Sequence, residues 1–220
     1  LRSPRFGMLL DALNAACLGI MAVNAQRETF QDKDSIRVHP IITKGGDVVN
    51  VVPSDVRIET YVRGRSVEAI LDASRKVDRA FRAGGDAVGA ETHIQNVPGY
   101  LPIFQDEPLT QLAMANGRAL LGDAGVHYGG FLGGSLDVGD LSHLMPVLHP
   151  FVGGTQGPIH GADFAILDYD AAAVAPAKMM AMTAIDLLVD GAAEGRRIVA
   201  NHKPMLTKAE YLAMMEDLRK

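Results

Sequence analysis

Two runs of strict two-residue alternation lie between two helical repeats in the first hundred residues. That order constrains the fold more than any other feature. From Ser35 to Thr43, Ile36, Val38 and Ile42 fall on one face, while Arg37, His39 and Thr43 fall on the other. From Val56 to Val62, Val56, Ile58, Thr60 and Val62 alternate with Arg57, Glu59 and Tyr61. Pro40 interrupts the first run, which predicts an edge strand or a bulge, and Gly45-Gly46 marks a turn. Upstream, Leu9, Leu13, Ala16, Ile20 and Val23 recur three and four residues apart, predicting a helix from Phe6 to about Gln26. Cys17 falls inside this apolar pattern and is expected in the core. Downstream, Ser66 is placed to N-cap a helix from Val67 to about Ala83, with Ile70, Val77 and Phe81 inward and Gly84-Gly85 ending it. Glu91 to Val97 is expected to be a further short strand. Helix, strand, strand, helix, strand fits an antiparallel sheet with helices on one face, a small α+β sandwich.

The texture changes after Pro98-Gly-Tyr-Leu-Pro102, and we place a domain boundary near residue 104, giving domains 1–104 and 105–220. Pro108 opens a predicted helix to about Leu121. A glycine-dense stretch, Gly125 to Gly139, leads to an apolar strand expected over Leu144 to Val152. Another glycine-rich loop, Gly153 to Gly161, precedes a helix expected from about Val174 to Val189. Thr207 and Glu210 form a capping box for a last helix, with Leu206 and Tyr211 spaced as a hydrophobic staple.

Composition removes several function classes. An apolar fraction of 48% over 220 residues supports a real core and excludes a disordered chain. The net charge of −5 argues against nucleic acid as a partner, because phosphate neutralisation needs a basic stripe. The single cysteine excludes disulfide scaffolds and Cys-based zinc sites. No uninterrupted apolar run reaches the roughly 18 residues of a membrane span, so no membrane association is expected. These properties are compatible with a cytoplasmic protein, the expected location.

Seven histidines are present, and none forms His-Glu-x-x-His or His-x-His. His39 lies on the strand face opposite Ile36, Val38 and Ile42, so it points away from the helices. His160 sits in Gly-Gly-Thr-Gln-Gly-Pro-Ile-His-Gly-Ala-Asp-Phe, a loop whose glycines let backbone approach a ligand. Asp137 and Asp140 share a glycine-rich loop near His143, where they suit acid–base work, metal support or plain helix capping. No phosphate loop and no Gly-x-Ser-x-Gly elbow occur.

Taken in order, the motifs resemble one family. Arg37-Val-His-Pro-Ile-Ile-Thr-Lys-Gly-Gly-Asp-Val-Val-Asn-Val-Val-Pro53 resembles the dimerisation-domain signature of M20 metallopeptidases and amidohydrolases. Tyr61-Val-Arg63 resembles the strand end that follows it, and Pro4-Arg-Phe-Gly7 with Leu10-Asp-Ala-Leu13 resembles the start of the first lid helix. Gly134 to His143, Pro146 to Pro150 and His160 to Phe164 are similar to the C-terminal part of that family's catalytic domain. The flavour is that of the aminobenzoyl-glutamate hydrolase and aminoacylase branch. The resemblance implies a ferredoxin-like dimerisation lid joined to the C-terminal part of an α/β catalytic domain, a homodimer paired through the lid, and a small amide substrate. It implies His160 as a metal ligand and His39 as a catalytic residue reaching into the partner's site to stabilise an oxyanion. It implies substrate contacts from Asn50 and a pocket-lining loop with Ser135, Asp137 and Asp140.

The departure from the family is large. The family's His-x-Asp motif and adjacent Glu-Glu pair, which complete a site for two divalent metals, zinc or manganese, have no counterpart here. One histidine cannot hold a catalytic zinc, which needs about three protein ligands. The chain is therefore expected to start inside the lid, after its first strand, to lack an N-terminal catalytic segment that must act as its partner, and to be inert alone. The alternative is a non-catalytic dimerisation or ligand-binding module from a truncated homologue.

Overall fold

The computed structural model of the protein describes residues 11–131 and 133–219. They form two compact units. The first comprises 11–102, Gly133–Ser135 and 218–219, and the second 103–131 with Leu136–Asp217.

In the first unit, helix α1 spans Ala12–Gln26, and Asp11 caps it by accepting from the Leu13 and Asn14 amides at 3.0 and 3.1 Å. The expected earlier start at Phe6, and the likeness of residues 4–10, lie outside the described residues. Strands β1 (Arg37–Val38), β2 (Ile41–Lys44), β3 (Arg57–Glu59) and β4 (Val62–Arg63) follow. β1 pairs with β4 and β2 with β3, both antiparallel, in registers Val38 to Val62 and Ile42 to Ile58. The first alternating run is thus split at Pro40, which has no amide to give, and its register shifts again between Ile42 and Lys44. Helix α2 spans Val67–Asp86, capped by Ser66 Oγ accepting from the Ala69 amide at 3.2 Å.

Val23 of α1, Val38 of β1 and Val77 and Ala80 of α2 form the core, with Phe30, Ile36, Val62 and Phe81 packed against them. Val23 and Val38 are fully buried, worth about 1.5–3 kcal/mol each. The 56–62 alternation holds, with even-numbered residues half-buried and odd ones exposed. The 35–43 alternation holds only to Pro40, because Ile42 beyond it is exposed. Three further expectations fail. Gly84-Gly85 does not end α2. Both glycines are buried inside it, since a Cβ on Gly84 would lie 2.6 Å from the Ala15 carbonyl and 2.7 Å from Gly19 Cα. Gly84 lets α1 and α2 touch backbone to backbone, whereas a Cβ on Gly85 would meet Thr92 and the Ala90 carbonyl. Cys17 is exposed, because α1 buries Ala16, Gly19 and Val23 and Cys17 falls to the side of that stripe. Glu91 to Val97 forms no strand, and β1–β4 and β2–β3 are two separate two-stranded antiparallel sheets.

In the second unit, α3 (Glu107–Leu121) is capped by Asp106, whose Oδ1 accepts from the Leu109 amide at 3.0 Å. A short α4 (Asp137–Ser142) follows. Leu144 to Val152 forms no strand: the Leu144 and Met145 amides both donate to the Leu141 carbonyl at 2.9 Å, closing the turn after α4, and the rest of the run carries no regular structure. Strands β5 (Thr155–Gln156) and β6 (Ala165–Ile166) pair antiparallel as a hairpin. A π-helical turn, Asp170–Val174, opens α5 (Ala175–Asn201), and α6 (Lys208–Asp217) carries the expected capping box. There the Thr207 amide donates to Glu210 Oε2 at 2.7 Å and the Glu210 amide to Thr207 Oγ1 at 3.2 Å. The whole is mixed α and β, rich in helix with small antiparallel pairs.

α5 is broken at Val189–Ala192, where Asp190, Gly191 and Ala192 all take positive φ, 52°, 67° and 62°. Two anchors on α3 explain the break. Asn116 Nδ2 donates to Thr183 Oγ1 at 3.2 Å and to Asp186 Oδ2 at 2.7 Å, while His202 pairs with Asp106 at 3.2 Å. From Asp106 to Asn116 a helix rises about 15 Å, whereas from Thr183 to His202 an unbroken one would rise about 28 Å. A continuous α5 would carry His202 far past Asp106. The region Asp170–Asn201 is long and apolar enough to cross a membrane by length and composition, which counting uninterrupted apolar residues does not reveal.

Candidate functional site

His160 stands on the tip of the β5–β6 hairpin. The Gly161 amide donates to the Pro158 carbonyl at 2.8 Å, closing a four-residue turn with Ile159 and His160 in its centre. His160 has φ 69°, the left-handed value that the third position of a type II turn demands. Glycine is the residue that adopts it without strain, and a histidine there costs about 1–2 kcal/mol. Two amides, from Leu167 and Asp168, donate to the Gly154 carbonyl at 2.9 and 3.1 Å and fix the base of the hairpin. The imidazole is exposed. A strained, outward-facing histidine on a braced glycine-rich turn is a feature to be explained by function.

His39 lies in the gap between β1 and β2. Its neighbour Val38 is fully buried, and Arg27 Nη2 donates to the Val38 carbonyl at 2.6 Å, so the backbone is pinned while His39 faces outward and is exposed. Asn50 belongs to the β2–β3 connection. The Val51 amide donates to the Val48 carbonyl at 3.2 Å, which places Asn50 in the middle of a turn, exposed, beside an exposed Val49. The connection is clamped at its base by Asp55, which pairs with Lys44 at 3.0 Å and Arg57 at 3.1 Å. The Arg57 guanidinium, and then the Lys44 ammonium, hold the Asp55 carboxyl below its ordinary range.

Ser135 is half-buried and forms an isolated antiparallel bridge with Pro102. Asp137 is exposed in the first turn of α4, where its Oδ1 accepts from the Val138 amide at 2.9 Å. Asp140 lies on the same short helix, and both acids favour its N-terminal end. His143, next in the motif, is 3% exposed. Its Nδ1 lies 2.9 Å from the Gly139 carbonyl, and its ring packs edge-on against Phe104 at 5.3 Å. It is therefore a core histidine tying α4 to the chain before α3.

Sequence reasoning missed one polar cluster. His202 and Asp106 are 17% and 9% exposed and join the end of α5 to the start of α3. Next to Asp106, the Gln105 side chain accepts from the His149 amide at 2.9 Å. Nothing in the local spacing marks a pair 96 residues apart. An Asp-Glu-Pro helix start is the one available signal, and it points to capping alone.

No group of three His, Cys, Asp or Glu side chains able to hold a metal ion exists among the described residues. The donors present do not fit a two-metal site: His160 offers one ligand where about three per catalytic zinc are needed.

No family model matches the chain. It is similar to the Xaa-Arg dipeptidase of Mus musculus, 30% identical over 189 residues, covering 81% of this chain and 43% of the mouse protein. It is equally similar to the Xaa-Arg dipeptidase of Homo sapiens, 30% identical over 188 residues, 81% of this chain and 42% of the human one. The chain spans less than half the length of these curated relatives. A match this long includes the His160 loop wherever its ends fall. The likeness supports an M20 peptidase-like relationship for this chain.

Proposed function

We propose that this chain is one part of a metal-dependent hydrolase that cleaves the amide bond of a dipeptide or N-acyl amino acid. The observation that carries the reading is the His160 turn: a strained, exposed histidine on a braced glycine-rich hairpin, inside a region similar to two dipeptidases. In this reading His160 supplies one metal ligand, and the others come from polypeptide outside these 220 residues. The chain by itself is then inert. His39, outward on the first unit, acts across a homodimer in the partner's site, and Asn50 with the Ser135–Asp137 segment contacts substrate. The relatives' name makes dipeptides ending in arginine the first substrates to try.

The test is hydrolysis of Xaa-Arg dipeptides and N-acyl amino acids by the protein produced from its own gene. His39→Ala should lower kcat at least tenfold with metal content unchanged. Full activity in His160→Ala would overturn the reading. A second reading, a non-catalytic dimerisation or ligand-binding module, draws on the missing metal cluster among the described residues. An in-frame His-x-Asp and Glu-Glu upstream of the Leu1 codon favours the enzyme, and a start codon at that point favours the module.

A further inference from the structure

Between Arg118 and Lys178 the chain holds six aspartates and not one lysine or arginine, so this stretch alone is more negative than the whole protein at −5. The His160 turn lies inside it. Several of these acids are engaged locally: Asp123 pairs with Arg118 at 3.8 Å, Asp137 accepts from the Val138 amide at 2.9 Å, and Asp168 accepts from the Ala171 amide at 3.0 Å. Asp163 is different. The Phe164 amide donates to the Gly161 carbonyl at 3.2 Å, so a second turn follows the His160 turn, sharing Gly161, with Asp163 in its centre. The Asp163 carboxylate folds back over that glycine: a Cβ on Gly161 would lie 2.8 Å from Asp163 Oδ1. A Cβ on Gly157 would likewise lie 2.8 Å from the Asp163 carbonyl oxygen, and Gly157 takes φ 83°. Two glycines of the loop thus make room for one exposed aspartate close to His160 in the chain. Among the described residues no hydrogen bond or ion pair reaches its carboxylate.

We infer that Asp163 is a specificity-determining residue: its carboxylate accepts the guanidinium or ammonium of a cationic substrate side chain, and the base-free stretch around it repels an acidic one. This rests on the reading that His160 works at the reacting amide. The two side chains leave consecutive turns of one braced hairpin, so a substrate held at His160 has its side chain within reach of Asp163. An arginine fork meets a carboxylate through two charge-assisted hydrogen bonds. A glutamate side chain there meets like charge, and no lysine or arginine of this stretch can offset it. The substrate class is therefore dipeptides or N-acyl derivatives of arginine or lysine, and amides of glutamate, as in the aminobenzoyl-glutamate branch, are disfavoured.

Calorimetric binding of free L-arginine, L-citrulline and L-glutamate to the protein produced from its own gene tests this. The three share one main chain and differ in side-chain charge, and none has an amide bond for the enzyme to cleave at that main chain. Arginine should bind about tenfold more tightly than citrulline, its neutral isostere, and glutamate more weakly than either. In Asp163→Asn the arginine preference should fall to about twofold or less while citrulline binding holds. Asp123→Asn, which removes another charge of the same stretch, should leave the preference intact. Equal binding of arginine and citrulline, no arginine binding, or a preference that survives Asp163→Asn would overturn the inference. So would loss of citrulline binding in Asp163→Asn, which indicates a structural residue, or an equal loss of preference in Asp123→Asn, which indicates a diffuse field. The two readings fail separately. Asp163-dependent arginine binding without hydrolysis of any dipeptide overturns the proposed activity alone, and equal hydrolysis of Xaa-Arg and Xaa-Glu dipeptides overturns the specificity alone.

Discussion

Gly84 shows how a single residue can matter through what it lacks. A Cβ there meets the backbone of Gly19 and Ala15, which cannot rotate away as a side chain could. Gly84→Ala should cost about 1–2 kcal/mol in urea unfolding despite alanine's better helix propensity, because the helices must separate. Gly99→Ala, with open space around it, should stay within about 1 kcal/mol of wild type. His39 makes the opposite case. It is exposed beside a pinned backbone, so His39→Ala should leave stability within about 0.5 kcal/mol while lowering turnover of the complete enzyme. Loss of stability together with turnover would make His39 a structural residue.

At the scale of elements, α5 and α6 each carry a local device with a measurable signature. The Thr207 amide, and then its hydroxyl, hold the Glu210 carboxyl below its ordinary range. A depressed carboxyl stabilises above its unfolded value, about 4.3, and loses that contribution as pH falls through the lower folded value. The first turn of α6 should therefore fray below about pH 4, seen as faster amide exchange at residues 208–211. Glu210→Gln should remove that pH dependence. In α5, Ala192 sits at φ 62° where glycine is unstrained, so Ala192→Gly should be neutral or raise stability by up to about 1 kcal/mol. A loss above that size would show that the break is not held in the left-handed form.

The same elements show what the sequence could reveal. Local signals were legible: the caps Ser66 and Thr207, the breaker Pro40, and the 56–62 alternation each depend on neighbours within a few residues. Gly84-Gly85 misled because a helix stop and a close helix contact use the same residue. Leu144 to Val152 has a strand's composition, yet a strand exists only where another pairs with it. His39 and His160 stood out, one by strand face and the other by its glycines. The His202–Asp106 pair did not, because only tertiary folding joins them.

For the whole molecule, no group of three His, Cys, Asp or Glu side chains able to hold a metal ion exists among the described residues, large apolar side chains lie exposed on α5, and the likeness spans less than half of two dipeptidases. These facts agree with the function proposed above, a hydrolase whose remaining metal ligands come from polypeptide outside these 220 residues. Metal analysis of the protein produced from its own gene tests that claim most directly. The account predicts about two divalent ions per chain, falling to about one in His160→Ala. Identical metal content in wild type and His160→Ala, or no metal in either, would contradict it.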